Sequence, residues 1–388
     1  MPDTLRAAPL FALVAGEASG DTLGAELIMA LRRHYPEARF VGVAGPKMLA
    51  AGCEAWARAE ELAVMGLTEV LGQLPRLLGL LRRIRARLLA ARPDVFIGID
   101  APDTNLRLER ALRAHGLLTV QYVSPQVWAW RQGRVATIAA STDLVLCLLP
   151  FEAEFYANRG VRAEFVGHPL ADRIPLSVDR VAARRELGLP PDAPLIALLP
   201  GSRSGEVSRL GADFAATAAW LARRRPSLGF VAPMATAAVR TMFAASLAFH
   251  APGVEVRLLD GQAQLALAAS DAVLVASGTA TLETMLTGRP MVVAYRLGAL
   301  TAFMLRRLGL VKVPYFSQPN LLLGRRFVPE FFQRQVRADV LGPALEQMLD
   351  DAAYRSELQR EFARVHLQLR RGGAERAAQA IMQRIRPS

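Results

Sequence analysis

Asp100 and Asp103, in Asp100-Ala-Pro-Asp103, follow directly on the apolar run Val95-Phe-Ile-Gly-Ile99, so a carboxylate can be held at a strand end as a general base. The same spacing suits an aspartate that accepts backbone N–H groups of its own loop, and the sequence leaves both uses open. Upstream, Gly16-Glu17-Ala18-Ser19-Gly20-Asp21 has its glycines too far apart for a dinucleotide fingerprint. Its two carboxylates oppose phosphate but suit sugar hydroxyls.

Two further loops suit a nucleoside diphosphate. In Ser277-Gly-Thr-Ala-Thr-Leu-Glu283 the small residues Ser277, Gly278 and Thr279 let a diphosphate approach the unpaired N–H groups of a helix N-terminus. Glu283, four residues after Thr279 on the same helix face, suits bidentate acceptance from two ribose hydroxyls. Alternatively, Ser277 or Thr279 caps the helix and Glu283 complements its dipole. In Pro200-Gly-Ser-Arg-Ser-Gly-Glu206, Gly201 frees the backbone beside Ser202, and Arg203 offers a planar fork to phosphate oxygens. Such an arginine can stabilise a departing diphosphate without a metal; a surface turn with a solvated arginine is the plainer alternative. His168, where the linker begins, suits either a cleft-facing or a structural role, and Gln318-Pro-Asn320 carries a structural reading on residue type alone.

The elements that must position these residues alternate. Strands are expected at 11–15, 40–43, 94–100, 119–123 and 144–149, with helices between them, including a basic one over about 73–91. After the Pro-rich stretch a second series runs through 195–199, 229–232, 254–259, 272–276 and 291–295. Strand and helix in alternation imply an α/β fold with doubly wound parallel sheets, whose ligands bind beyond the carboxyl ends of the strands. The expected division is an N-terminal Rossmann-like domain at 1–170, a linker at 171–194, a second Rossmann-like domain at 195–345 and C-terminal helices at 346–388.

Composition narrows the function classes. The 47 basic and 35 acidic residues leave +12, favouring phosphates on a substrate, a nucleic acid or an anionic membrane, without choosing among them. Lys47 and Lys312 are the only lysines, and no phosphate-loop motif can be written, which excludes P-loop kinases and ATPases. Five histidines without an H-x-x-x-H pair make a zinc hydrolase improbable, and no metal site is expected. No apolar run is long and charge-free enough to span a membrane, and Cys53 and Cys147 are solitary, which fits a reducing cytoplasm. Hydrophobic residues reach 52%, so some apolar surface is expected to face lipid. The candidate is Val64, Met65 and Leu67 with the helix carrying Arg76, Arg82 and Arg83. A helix packed on the sheet would show the same stripe.

Together and in this order, the segments resemble the lipid-A-disaccharide synthase family of Gram-negative bacteria. The likeness rests on VAGEASGD at 14–21, FVGVAGPKM at 40–48, EELAVMGLTEVL at 60–71, DVFIGIDAPDTN at 94–105, YVSPQVWAWRQ at 122–132, LPFE at 149–152, LLPGSRSGEV at 198–207, ASGTATLE at 276–283, MVVAYR at 291–296 and PNLLLG at 319–324. Gln126 and Tyr315-Phe316-Ser317-Gln318 are local departures that bear on acyl or nucleotide contacts. The resemblance implies a GT-B glycosyltransferase, with two Rossmann-like domains facing a cleft and the C-terminal helices returning to the first. It implies inverting transfer from UDP-2,3-diacylglucosamine to 2,3-diacylglucosamine 1-phosphate (lipid X), giving a β-1,6 disaccharide and UDP, with no cofactor.

Its functional positions fall here on Asp100, Arg203, Glu283 and Asn320, the last by resemblance alone, with Glu17, Ser19 and Asp103 on the acceptor side. The implied partners are the two acylated sugars and an anionic inner-membrane surface on its cytoplasmic face, with no nucleic acid and a homodimer left open. Other readings are a GT-B glucosaminyltransferase of peptidoglycan lipid intermediates, a UDP-sugar 2-epimerase, or a membrane-docked nucleotide-binding adaptor without turnover.

Overall fold

The computed structural model describes residues 8–62, 67–130, 132–298 and 314–385. The chain divides into two units: residues up to Asp172 with those from Leu369 on, and Arg173–Gln368.

In the first unit, strands β1 (Leu10–Ala15), β2 (Arg39–Ala44), β3 (Cys53–Arg58), β4 (Val95–Ile99), β5 (Leu118–Tyr122), β6 (Leu144–Cys147) and β7 (Ala163–Phe165) form one parallel sheet, ordered β3-β2-β1-β4-β5-β6-β7. The apolar run that forms β1 has no exposed face because its alternating residues enter two cores. Phe11, Leu13 and Ala15 pack with Leu27 and Leu31 of the helix Ala18–His34, while Ala12 and Val14 pack with Leu80, Ile84, Leu88 and Leu108 on the other side.

The second unit repeats the plan with β8 (Leu195–Leu199), β9 (Gly229–Met234), β10 (Arg257–Asp260), β11 (Ala272–Ala276), β12 (Met291–Tyr295) and β13 (Glu330–Phe332), all parallel and ordered β10-β9-β8-β11-β12-β13. Strand order reverses beside β1 in one sheet and beside β8 in the other. Register sets Ala15 against Ile99 and Leu199 against Val275, so each pair of expected loops leaves neighbouring strand ends at a switch point.

Two boundaries differ from the sequence expectation. The stretch 171–194 is not a free linker, because from Arg173 it belongs to the second unit. There the fully buried Arg184 donates to the carbonyls of Ala269, Pro190, Pro191 and Ala193 and pairs with Asp271 at 2.7 Å. A buried guanidinium needs its donors matched, and this match fixes the Pro-rich segment. The return to the first unit also comes later than residue 346. The helix Ala352–Leu369 belongs to the second unit up to Gln368, where the rings of Tyr354 and Phe362 contact Phe327. Only the helix Gly373–Met382 enters the first core, through Ala377, Ala378, Ala380 and Ile381. Asp172 accepts the N–H groups of Gly372 and Gly373, and Glu375 pairs with Arg33 at 2.6 Å and with His34.

Candidate active site

Beyond the end of β4, Asp100 (φ 52°) and Ala101 (φ 40°) both adopt the left-handed conformation before Pro102 opens the helix Pro102–Arg113. Neither is glycine, so each costs about 1–3 kcal/mol, which the surroundings must hold in place. The Asp100 N–H donates to the Tyr122 carbonyl at 2.9 Å. The Asp100 carbonyl accepts Nδ2 of Asn105 at 2.9 Å and Nε2 of Gln121 at 3.1 Å. Burial raises the pKa of the Asp100 carboxyl, against a lowering contribution from the Ala101 N–H. The rise makes it a stronger base than an ordinary aspartate. Asp103 is different: its side chain is 77% exposed and paired with Arg134 at 2.6 Å.

The neighbouring loop exposes Glu17 and Ser19 where the helix Ala18–His34 begins. A Cβ on Gly16 would lie 3.1 Å from that of Ala101, so this loop and the Asp100 turn adjoin. Asp21, expected to suit a sugar, is instead buried and accepts the N–H groups of Gly45, Lys47 and Met48. It fixes the start of the short helix Pro46–Ala50, with both carboxylate oxygens engaged there and the side chain buried.

In the second unit, no side chain caps the helix Thr279–Leu286, and Gly278 and Thr279 are exposed at its start. The capping alternative is therefore not realised: the Ser277 hydroxyl donates to the Phe316 carbonyl at 2.7 Å. A Cβ on Gly278 would meet nothing within 4 Å, and a phosphate can approach the helix N-terminus there. Glu283 is half-buried, which raises its pKa, with Arg173 opposing the rise.

The Arg203 loop needs a correction. Glu206 Oε2 accepts the N–H groups of Ser202 at 2.9 Å and Arg203 at 3.4 Å, so the helix Ser204–Arg224 is capped from within. Gly201, at φ 135°, gives that carboxylate room, since a Cβ there would sit 2.4 Å from Cβ of Glu206. The N–H groups of Ser202 and Arg203 are thus engaged, and the exposed Arg203 side chain is what the loop offers a phosphate.

Asn320 is also not aimed at a ligand. It is fully buried, with Oδ1 accepting from Phe327 and Val328 at 2.7 and 2.8 Å and Nδ2 donating to the Val328 carbonyl at 2.9 Å. Its amide fixes the turn that Ser277 contacts, as does Glu330 by accepting the Ser317 N–H at 2.8 Å. His168 accepts the Leu170 N–H, in keeping with a structural reading.

Val64 and Met65 lie outside the described residues, as does the Leu67 side chain. On the helix Leu67–Ala91, Arg76, Arg82 and Arg83 are exposed, while Leu80, Ile84 and Leu88 are buried against the sheet with Leu77 and Leu81 beside them. This stretch is a sheet-packed helix with a basic outer face, and Leu80, Ile84 and Leu88 are closed off by the sheet. Among the described residues, no helix is long and apolar enough to cross a membrane, and no group of three or more His, Cys, Asp or Glu could hold a metal ion.

Sequence reasoning passed over Asn105 and Gln121, which hold the Asp100 turn. The signal was present: 105, 108, 109 and 112 form one helical stripe, and two of its four residues, Asn105 and Glu109, are polar yet buried.

The lipid-A-disaccharide synthetase family model matches residues 11–385. This chain belongs to that family. The lipid-A-disaccharide synthase of Pseudomonas aeruginosa (strain UCBPP-PA14) is 52% identical over 385 residues, covering 99% of each chain. As a member of the family the chain is a hexosyltransferase, which sets aside the epimerase and the adaptor without turnover. Solved structures agree on a GT-B fold. The glycotransferase of kitacinnamycin has a TM-score of 0.61 at 18% identity, covering 98% of this chain and 100% of its own. The UDP-GlcNAc 2-epimerase of Neisseria meningitidis, bound to UDP-GlcNAc, has a TM-score of 0.61 at 12% identity, covering 97% and 98%. At such identities these two speak for the fold alone.

Proposed function

We propose that the enzyme transfers the sugar of UDP-2,3-diacylglucosamine to the 6-hydroxyl of 2,3-diacylglucosamine 1-phosphate with inversion. The acceptor oxygen forms a bond to the anomeric carbon as the bond from that carbon to the UDP oxygen breaks. The hydroxyl proton passes to Asp100, and the electron pair leaves on UDP. An alcohol is a poor nucleophile at neutral pH, so a single displacement requires one base on the acceptor side.

The observation that carries this reading is the contrast between the two carboxylates. Asp100 is held half-buried at a switch point with a raised pKa, whereas Asp103 is exposed and paired with Arg134. Glu17 and Ser19, beside Asp100, are assigned to the acceptor. Arg203 and the uncapped start of the helix Thr279–Leu286 receive the diphosphate, and Glu283 takes the ribose hydroxyls. Asn320 serves by shaping the turn behind Ser277. The basic outer face of the helix Leu67–Ala91 supports peripheral attachment to the anionic cytoplasmic face of the inner membrane.

The test measures UDP release from the two acylated sugars. Asp100→Asn keeps shape but removes basicity, so turnover should fall about 10²–10⁴-fold with UDP affinity little changed, while Asp103→Asn stays near wild type. The reverse ranking assigns the base to Asp103.

A further inference from the structure

Beneath the Asp100 turn lies a carboxyl group that the proposed reaction does not use. Glu109, on the helix Pro102–Arg113, is fully buried, and neither of its oxygens has a hydrogen-bond partner. Oδ1 of Asn105 and Oε1 of Gln121 are buried and unpartnered as well. The three side chains share one place. Register sets Gln121 beside Gly98, and a Cβ on Gly98 would lie 2.4 Å from Glu109 Oε1 and 2.7 Å from Cβ of Asn105.

The two amides cannot be reversed to relieve this. Asn105 Nδ2 donates to the carbonyls of Val14, Ile99 and Asp100, and Gln121 Nε2 donates to those of Asp100 and Val123. A flipped amide would set oxygen against carbonyl oxygen, so both amide oxygens must lie toward the interior. The result is a buried group of acceptors with no donor among them. Among these three side chains, a carboxyl group carrying its proton is the one that can supply a donor.

We infer that Glu109 is a positioning residue, kept protonated, whose single O–H is shared between the amide oxygens of Asn105 and Gln121 and so locks the two amides that hold the left-handed Asp100 turn. Burial, with Asp143 adding to it, raises the Glu109 pKa, in keeping with a neutral acid. Glu109 touches no reacting atom. It acts through Asn105 and Gln121 on the direction of the Asp100 carboxylate. The consequence for turnover rests on Asp100 being the base; the protonation state does not.

The experiment therefore reads both. Infrared difference spectra of wild type against Glu109→Gln at neutral pH should show a protonated-carboxyl C=O band that the variant lacks. A carboxylate pair in its place overturns the inference whatever Asp100 does. In kinetics, Glu109→Gln retains an N–H donor and should keep kcat within about threefold. Glu109→Leu should lower kcat at least about tenfold with little change in KM for the donor sugar, and should speed hydrogen exchange at the Asp100 amide. Leu matching Gln in both kcat and exchange overturns the positioning role. If Asp100→Asn keeps its turnover while the infrared band and the exchange difference are found, the base assignment fails and the Glu109 lock stands.

Discussion

Arg203 and Glu206 stand three residues apart in one loop and have opposite fates. Glu206 is committed to the loop's own N–H groups, while Arg203 is exposed at the cap of the helix Ser204–Arg224. If its guanidinium offsets charge on departing UDP, Arg203→Ala should lower turnover about 10²–10³-fold, the cost of one preorganised electrostatic donor. Unchanged kinetics in a folded variant would remove it from the site. This contrast also marks what single residues disclose in a sequence. Asp100, Arg203 and Glu283 stand out as candidates in the sequence because a charged side chain follows an apolar strand or lies within the first helical turns after it, and the structure places all three beyond strand ends. Asp21 reads as free for a sugar and Gly201 as leaving its backbone free, whereas Asn320 reads as structural on residue type and takes a site role only by resemblance. Sequence shows which groups a residue carries but not what already occupies them: backbone N–H groups are bound by the Asp21 and Asn320 side chains, and the Glu206 side chain fills the space beside Gly201.

The same limit acts on whole elements. Central strands such as β4 and β11 are buried at every position and appear as unbroken apolar runs. The edge strands β3, β7 and β13 are partly exposed, lack such a run, and were not anticipated, while the edge strand β10 was. One junction between elements has a measurable consequence. Glu152, at the start of the helix Pro150–Ala157, accepts the Leu149 N–H at 3.0 Å and Trp128 Nε1 at 3.1 Å, tying the 124–130 segment to it. Burial nonetheless pushes its pKa from 4.5 up to about 7. Because the folded pKa exceeds the unfolded one, the native state binds the extra proton between these values. Stability is therefore lost as pH rises from the lower to the higher, by about 3 kcal/mol for this group, and stays lost above it. Asp100 and Glu109, whose pKa values are also raised, act in the same direction. Denaturant unfolding at about pH 5 and about pH 8 should show lower stability at the higher pH, and Glu152→Gln should shrink the difference. An unchanged difference in the variant would clear Glu152 of the effect.

For the molecule as a whole, net charge and surface pattern bear on where it works. The excess of +12 is carried almost entirely by arginine, since Lys47 and Lys312 are the only lysines. Arg76, Arg82, Arg83, Arg85 and Arg87 are all exposed on one helix whose Leu80, Ile84 and Leu88 are turned into the core. With Leu80, Ile84 and Leu88 occupied by the sheet, the described part of this helix offers anionic lipid mainly its arginines. Binding to vesicles of phosphatidylglycerol and phosphatidylethanolamine should therefore weaken steeply as salt rises, because screening shortens to about 8 Å at physiological ionic strength. Replacing Arg76, Arg82 and Arg83 together by Glu should abolish sedimentation with those vesicles while leaving UDP release from detergent-dispersed substrates near wild type. These residues contribute nothing to the proposed chemistry. If binding persists in high salt and yields only to detergent, apolar insertion dominates and the charge argument fails. Val64, Met65 and Leu67 then become the residues to replace.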